Sequence, residues 1–271
     1  MQKEPVKAIF TSNTYITHRK PIKCHFFSRR IYFILRLVFI VLFSWLKSLN
    51  NKFDGDECLI ISQKIFLILE KLGFKFSIVG INNINKVSGP IVFIANHMSV
   101  LETLILPGII QPHKDVTFIV KEELLKYPLF KSLLIARNVI PITRKNPKSD
   151  YEIIINKGSQ LLQQNISVLI FPQSTRKVKF NPKEFKKIGI KLAQKNGVSV
   201  VSIALATDAW AIGKLIKDFG KFDINKVIQI EFNKPFSPDK HFNKGHQSVI
   251  DFITKKLAAW NKKEYLEVGI N

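Results

Sequence analysis

The stretch PIVFIANHMSVLETLIL, Pro90 to Leu106, runs from an apolar segment into a polar cluster. Ile91, Val92, Phe93, Ile94 and Ala95 have the length and β-branched content of a buried strand. Asn96, His97, Ser99 and Glu102 follow at once, and Leu101, Thr103, Leu104 and Leu106 continue as a helix. With Met98 or Ser99 as the cap, Glu102 lies about one turn past His97, so its carboxylate can reach the imidazole. A carboxylate that holds one ring nitrogen fixes the tautomer and leaves the other nitrogen as a general base. The alternative is a polar cap at a strand exit followed by a helix-facing glutamate. The pair alone does not decide between them.

Outward from this stretch, strands alternate with helices from about Phe76 onward. VTFIV, NVIPIT, ISVLIF, VSVVSIAL and KVIQIEF read as strands, and helical patterns fall near 121–136, 150–164, 183–196 and 245–265. KFNPKEF and NKPFSPDKHFNKG read as loops marked by Pro, Asn and Gly. The fold expected is α/β, a mainly parallel central sheet flanked by helices, with an N-terminal membrane-associated helical segment. Sites in such sheets collect at the carboxyl ends of strands. The division expected is 1–75, a basic N-terminus with membrane-associated helices, and 76–271, the α/β domain.

Hydrophobic residues make up 46% of the chain, which excludes disorder as its general state. Lys and Arg number 42 against 20 Asp and Glu, a net charge of +22 that calls for an anionic partner. The basic residues are spread along the chain, without zinc-finger spacing or an RNA-binding aromatic signature, so an anionic membrane surface outranks nucleic acid. Cys24 and Cys58 form no metal-ligand cluster and read as reduced and structural. The hydrolase signature G-x-S-x-G is absent.

Residues 1 to 30 carry Lys3, Lys7, Arg19, Lys20, Lys23, Arg29 and Arg30 against Glu4. Ile31 to Leu46 is then apolar except for Arg36 and Ser44. No small-residue cleavage site follows, which argues against a signal peptide. A single span would hold the basic N-terminus inside and place the rest of the chain across the membrane. A helix lying in one leaflet avoids that separation and suits a cytosolic donor. Leu59 to Phe74 reads as a second interfacial or packing helix, with Gly73 near its end.

A second polar cluster stands where ISVLIF runs into PQSTR, residues 172 to 176. Pro172 ends the ladder, Ser174, Thr175 and nearby N–H groups can cradle an oxyanion, and Arg176 offers a planar fork of donors. A polar turn with a solvated arginine is the alternative for this motif alone.

Taken in order, these blocks resemble the glycerolipid acyltransferase family, whose type member is 1-acylglycerol-3-phosphate acyltransferase. The family's N-H-x-S-x-x-D corresponds to Asn96 through Glu102, and its second block to KEELLKYP (Lys121 to Pro128) with NVIPITR (Asn138 to Arg144). F-P-E-G-T-R corresponds to Phe171-Pro172-Gln173-Ser174-Thr175-Arg176, and V-P-V-A-L to the stretch from Val200 to Leu205. The stretch TDAWAIGKLIKDFG, after Leu205, resembles a subset of bacterial relatives.

The resemblance implies that His97 deprotonates a hydroxyl of a lysolipid or glycerol phosphate, which attacks the thioester of acyl-CoA or acyl carrier protein. Glu102 takes the place of the aspartate that orients the histidine. Arg176, with Arg144 and Lys121, holds the acceptor's phosphate, and Phe171, Pro172, Gln173, Ser174 and Thr175 complete the binding block. No metal or organic cofactor is implied, because the thioester already carries an activated acyl group. Three residues depart from the pattern: Glu102 stands for Asp, Gln173 for Glu and Ser174 for Gly. The last two fall where the acceptor is expected.

Overall fold

The computed structural model of the protein describes residues 9–21, 26–49, 55–173, 175–213, 217–218, 220–238, 242–260 and 263–266. The chain opens with a short strand, β1 (Thr14–Ile16), then α1 (Phe26–Leu49) and α2 (Gly55–Lys71). After β2 (Lys75–Val79) come β3 (Ile91–Ala95), α3 (Leu101–Ile110), β4 (Val116–Lys121), α4 (Pro128–Ala136), β5 (Ile140–Ile142) and α5 (Pro147–Gln163). The last elements are β6 (Ser167–Ile170), α6 (Ile188–Asn196), β7 (Ser199–Ala206), β8 (Val227–Phe232) and α7 (Phe242–Ala259).

Among the described residues, eight strands join one sheet in the order β1-β2-β8-β7-β3-β6-β4-β5. Only the β1–β2 and β7–β8 pairs are antiparallel, so the sheet is mainly parallel, as the alternation of strands and helices predicts. β3 lies between β7 and β6, and all five of its residues are buried. That position explains its unbroken apolar run, since a strand covered on both faces has no solvent side. Ile91, Phe93 and Ala95 enter one core with Phe33, Leu69 and Val201, while Val92 and Ile94 enter the other with Ile155, Ile190 and Ile253. Truncating Phe93 to alanine would cost about 3–5 kcal/mol at such a position.

The N-terminal residues share the first of these cores. Phe10 and Phe33 are buried in it, and Phe33 meets Trp210 edge to face at 5.0 Å. Glu70 of α2 accepts hydrogen bonds from Tyr15 Oη at 2.8 Å and Thr17 Oγ1 at 2.6 Å, which pins β1 to the sheet edge. The two stretches expected to divide near residue 75 are therefore packed together. α2 ends where Gly73, at φ +98°, turns the chain toward β2, a left-handed cap that favours glycine.

α1 has two unlike faces. Phe33 and Ser44 are buried against protein, while Ile31, Leu35, Val38, Phe39, Leu42, Phe43 and Leu46 are exposed along one stripe. Residues Arg29–Ser48 are long and apolar enough to cross a membrane, with a mean hydropathy of 1.8.

Several boundaries differ from the sequence expectation. The pattern near 121–136 is not one helix: Lys121 closes β4, a 3-10 turn covers Glu122–Lys126, and α4 starts at Pro128. A proline is suited to a first helical position, where its missing N–H has no partner to lose. Pro147 likewise opens α5 behind Asn146, whose side chain accepts the N–H groups of Lys148 and Ser149. Pro182 confines the start of the 183–196 pattern to a short 3-10 turn, and α6 begins at Ile188. α7 begins at Phe242, inside the stretch read as a loop.

α2 and α3 touch closely. Ser62 Oγ donates to Leu104 O at 2.6 Å and accepts the Gly108 N–H at 2.8 Å, so one hydroxyl joins two backbone groups of α3. A Cβ at Gly108 would lie 2.6 Å from that hydroxyl, so this approach requires glycine.

Candidate active site

The polar blocks meet where the parallel strands end. Past the last residue of β3, Asn96 bridges to β7: its Nδ2 donates to Leu205 O at 2.8 Å, and Leu205 N donates to its Oδ1 at 2.9 Å. The amide extends the ladder by one side-chain rung and fixes the exit of the chain. His97 follows with its backbone held at both ends. Its N–H donates to Gln173 Oε1 at 2.7 Å, and its carbonyl accepts Lys177 N–H at 2.9 Å. Its ring stacks on Phe171, with centroids 4.3 Å apart and planes 23° from parallel. The block at 171–177 thus clamps His97 through a ring, an amide and a main-chain bond.

Glu102 sits in the first turn of α3, wholly buried. Its Oε1 accepts the Met98 N–H at 2.6 Å, and both its oxygens lie 2.9 Å from Ser99 N. Ser99 Oγ donates to Oε2 at 2.8 Å. The Ser99 hydroxyl also accepts the Leu101 N–H at 3.2 Å, and α3 starts at Leu101, later than a Met98 or Ser99 cap predicts. His97 Nδ1 lies 3.6 Å from Glu102 Oε1, too long for a hydrogen bond and within ion-pair reach. Nδ1 is buried and has no hydrogen-bond partner among the described residues. Burial of the Glu102 carboxyl raises its pKa, but His97 and the N–H of Ser99 outweigh it and hold the group below the usual carboxylate range. Glu102 is therefore an anion beside the imidazole at neutral pH.

The resemblance groups three basic residues, and the structure places them unequally. Arg144 follows β5, exposed at the surface, with φ at +61°. Desolvation lowers its pKa, the nearby Arg176 lowers it further, and Asp150 partly offsets both. Arg144 and Arg176 are thus close enough for their charges to interact. Arg176 also forms an ion pair with Asp218. Lys121 pairs in register with Ile142 of β5, but its ammonium is taken up by Glu123. Pro172 and Gln173 are buried and Thr175 is exposed, while Ser174 lies outside the described residues.

Gln173, expected in the acceptor-binding block, places its side-chain oxygen on the His97 backbone. Thr207 was not singled out by sequence, yet its hydroxyl is 3.1 Å from Ser99 Oγ and so joins the network behind Glu102. Its position at the head of the TDAWAIGKLIKDFG stretch, two residues past the fourth block, is the signal that could have found it. Asp150 and Asp218 carried no such signal. Among the described residues, no group of three His, Cys, Asp or Glu is placed to hold a metal ion.

These features define an α/β domain with a histidine–carboxylate pair at the carboxyl end of a central parallel strand and two arginines, Arg144 and Arg176, whose charges interact. The sequence model of the family described as Acyltransferase matches residues 75–206. The 1-acyl-sn-glycerol-3-phosphate acyltransferase of Pseudomonas aeruginosa is 32% identical over 140 residues, 52% of this chain and 52% of that protein. A probable 1-acyl-sn-glycerol-3-phosphate acyltransferase of Mycoplasma pneumoniae is 28% identical over 200 residues, 72% of this chain and 74% of that protein. The chloroplastic enzyme of that name from Arabidopsis thaliana is 31% identical over 134 residues, 49% of this chain and 36% of that protein. The chain therefore spans about a third to a half of the plant and Pseudomonas relatives it matches. The crystal structure of PlsC, the 1-acyl-sn-glycerophosphate acyltransferase of Thermotoga maritima, superposes with a TM-score of 0.67 at 20% identity, covering 88% of this chain and 97% of that one. Residues 75–206 thus form a domain of the family described as Acyltransferase, and the Thermotoga structure shares the fold of this chain.

Proposed function

We propose that the protein moves a fatty acyl group from a thioester, acyl-CoA or acyl carrier protein, to the free hydroxyl of 1-acylglycerol 3-phosphate, forming phosphatidic acid. The observation that carries this reading is the buried, ionised Glu102 facing Nδ1 of His97, and the Arg144–Arg176 pair supports it. A proton on Nδ1, drawn toward Glu102, leaves Nε2 with its lone pair. Nε2 takes the hydroxyl proton as the acceptor oxygen attacks the thioester carbon, and Glu102 stabilises the imidazolium. Collapse of the tetrahedral intermediate breaks the C–S bond, and the departing thiolate takes the proton back from His97. Arg144 and Arg176 hold the acceptor's phosphate by charge-assisted hydrogen bonds and so bring its hydroxyl to the base.

The reaction takes place at the cytoplasmic face of the cell membrane, with α1 embedded in one leaflet. A lone span clear of the rest of the chain would have lipid all round it, whereas α1 offers an apolar stripe on one side and packs Phe33 and Ser44 on the other. The excess of basic residues adds attraction to anionic lipid. The test is lipid analysis after expression in a strain lacking its own 1-acylglycerol-3-phosphate acyltransferase. Restored phosphatidic acid supports the reading. Acylation of another lysolipid in its place would move the acceptor assignment, and unchanged lipids with membrane-bound protein would reject the activity.

A further inference from the structure

Arg144 stands just past β5 in a conformation its residue type seldom takes, with φ in the left-handed region at +61°. No glycine relieves the turn, so other contacts must hold it. They come from Asp150, in the first turn of α5 and buried to 7% exposure. Its Oδ2 accepts the Arg144 N–H at 2.8 Å, and its Oδ1 accepts the Thr143 N–H at 2.9 Å and the Thr143 hydroxyl at 3.1 Å. The helix that carries Asp150 is itself anchored beside the turn, because Asn146 Oδ1 accepts Lys148 N at 3.1 Å and Ser149 N at 3.2 Å. An acid that merely complements a helix N-terminus can stay in water. This one is buried and directs all three of these bonds at two residues.

We propose that Asp150 is a positioning residue for acceptor recognition: by fixing the Thr143–Arg144 turn, it aims the Arg144 guanidinium at the place beside Arg176 where the acceptor's phosphate binds. The inference rests on the phosphate reading given above. The left-handed φ sets the direction in which the Arg144 side chain leaves the backbone, and a return to negative φ would redirect it. Two guanidinium groups placed together repel, and Arg144, exposed at the surface, would relieve that repulsion by swinging away from Arg176. The Asp150 hydrogen bonds oppose this at the backbone, and its negative charge opposes it through space.

The test is steady-state kinetics of the full chain in mixed micelles, with 1-acylglycerol 3-phosphate as acceptor and whichever thioester the wild type uses. Asp150→Asn should raise the acceptor KM about tenfold, leaving kcat and the donor KM within about twofold. Arg144→Ala should raise the acceptor KM at least as much, and the double variant should go no further than Arg144→Ala alone. Additive effects in the double variant would make Asp150 a general support of the fold and overturn the inference. So would an unchanged acceptor KM in Asp150→Asn alongside a raised one in Arg144→Ala. An acceptor KM unmoved by Arg144→Ala would instead overturn the phosphate reading at Arg144, and the inference with it. If Asp150→Asn loses its fold, Asp150→Ser, which keeps one acceptor oxygen, is judged by the same comparison.

Discussion

Glu102 Oε1 faces His97 Nδ1 at 3.6 Å while accepting the Met98 N–H at 2.6 Å, so one oxygen serves both the imidazole and the turn that carries it. The longer side chain, compared with the family's aspartate, lets the carboxylate fold back over Ser99 without leaving the ring. Replacing it by glutamine should lower kcat more than about tenfold, because an amide cannot stabilise the imidazolium. Glu102→Asp should also be slower, since a shorter side chain cannot reach both the turn and the ring from this backbone. Turnover measured on both variants at matched folded fraction decides the matter: an undiminished Glu102→Gln enzyme would remove the pair from the mechanism.

The same carboxylate makes stability depend on pH. Its folded pKa lies below the unfolded value of about 4.3, so its contribution is present above that pH and is lost as pH falls through the lower folded value. Denaturant unfolding should show wild type ahead of Glu102→Gln by a constant margin at neutral pH, and the margin should shrink below about pH 4. A margin independent of pH down to full acid unfolding would mean that Glu102 is not a depressed acid.

His97→Ala should remain folded, because Glu102 keeps its bonds from Met98 N, Ser99 N and Ser99 Oγ, and acyl transfer should fall by about 100-fold or more. The check is turnover together with circular dichroism. A folded variant with near-normal turnover would take the general base elsewhere.

Arg176 is engaged by Asp218, whose side chain is 52% exposed. An acceptor phosphate has to compete with that carboxylate for the same guanidinium. Arg176→Ala should raise the acceptor KM more than it lowers kcat. Asp218→Asn should lower the acceptor KM by up to about fivefold, the modest scale expected of an exposed pair. If the Asp218 variant instead bound acceptor more weakly, the carboxylate would be a support of Arg176 rather than its competitor.

Membrane binding should have an apolar and an ionic component. Deleting residues 1–51 would also strip β1, Phe10 and Phe33 from the core, so point changes are the cleaner probe. Leu35 and Phe39 are 65% and 64% exposed on the α1 stripe, and placing glutamate at both should weaken binding to neutral vesicles by at least about tenfold. Residual binding to anionic vesicles should persist and fall as salt rises. Unaltered sedimentation with neutral vesicles would reject α1 as the embedded face.

Much of this was legible because it is written locally. A run of five apolar residues followed by Asn-His-x-Ser-x-x-Glu specifies a doubly covered strand and a polar exit, and both lie where that pattern puts them. What escaped depends on distant partners. β1 is three residues long and gains its place from Tyr15 and Thr17 reaching Glu70, more than fifty positions away. The clamp on the His97 backbone comes from Gln173 and Lys177, and neither residue type announces such a bond. The left-handed Arg144 has no glycine to mark it, because Asp150 supplies by hydrogen bonding what glycine would supply by freedom. The 121–136 pattern misled because apolar spacing continues across Lys121, while sheet pairing with β5 claims that residue for a strand.

The hydroxyl of Ser62, bonded to both Leu104 and Gly108, has a mechanical meaning. α2 can neither slide nor roll over α3 without giving up both hydrogen bonds, and the missing Cβ at Gly108 leaves the two backbones no slack. α2 also packs against α1 on its other side. The helix with the apolar outer stripe, the helix behind it and the helix bearing Glu102 consequently behave as one girder. The height of the histidine above whatever surface α1 enters is set by that girder, built in when the chain folds rather than adjusted on landing.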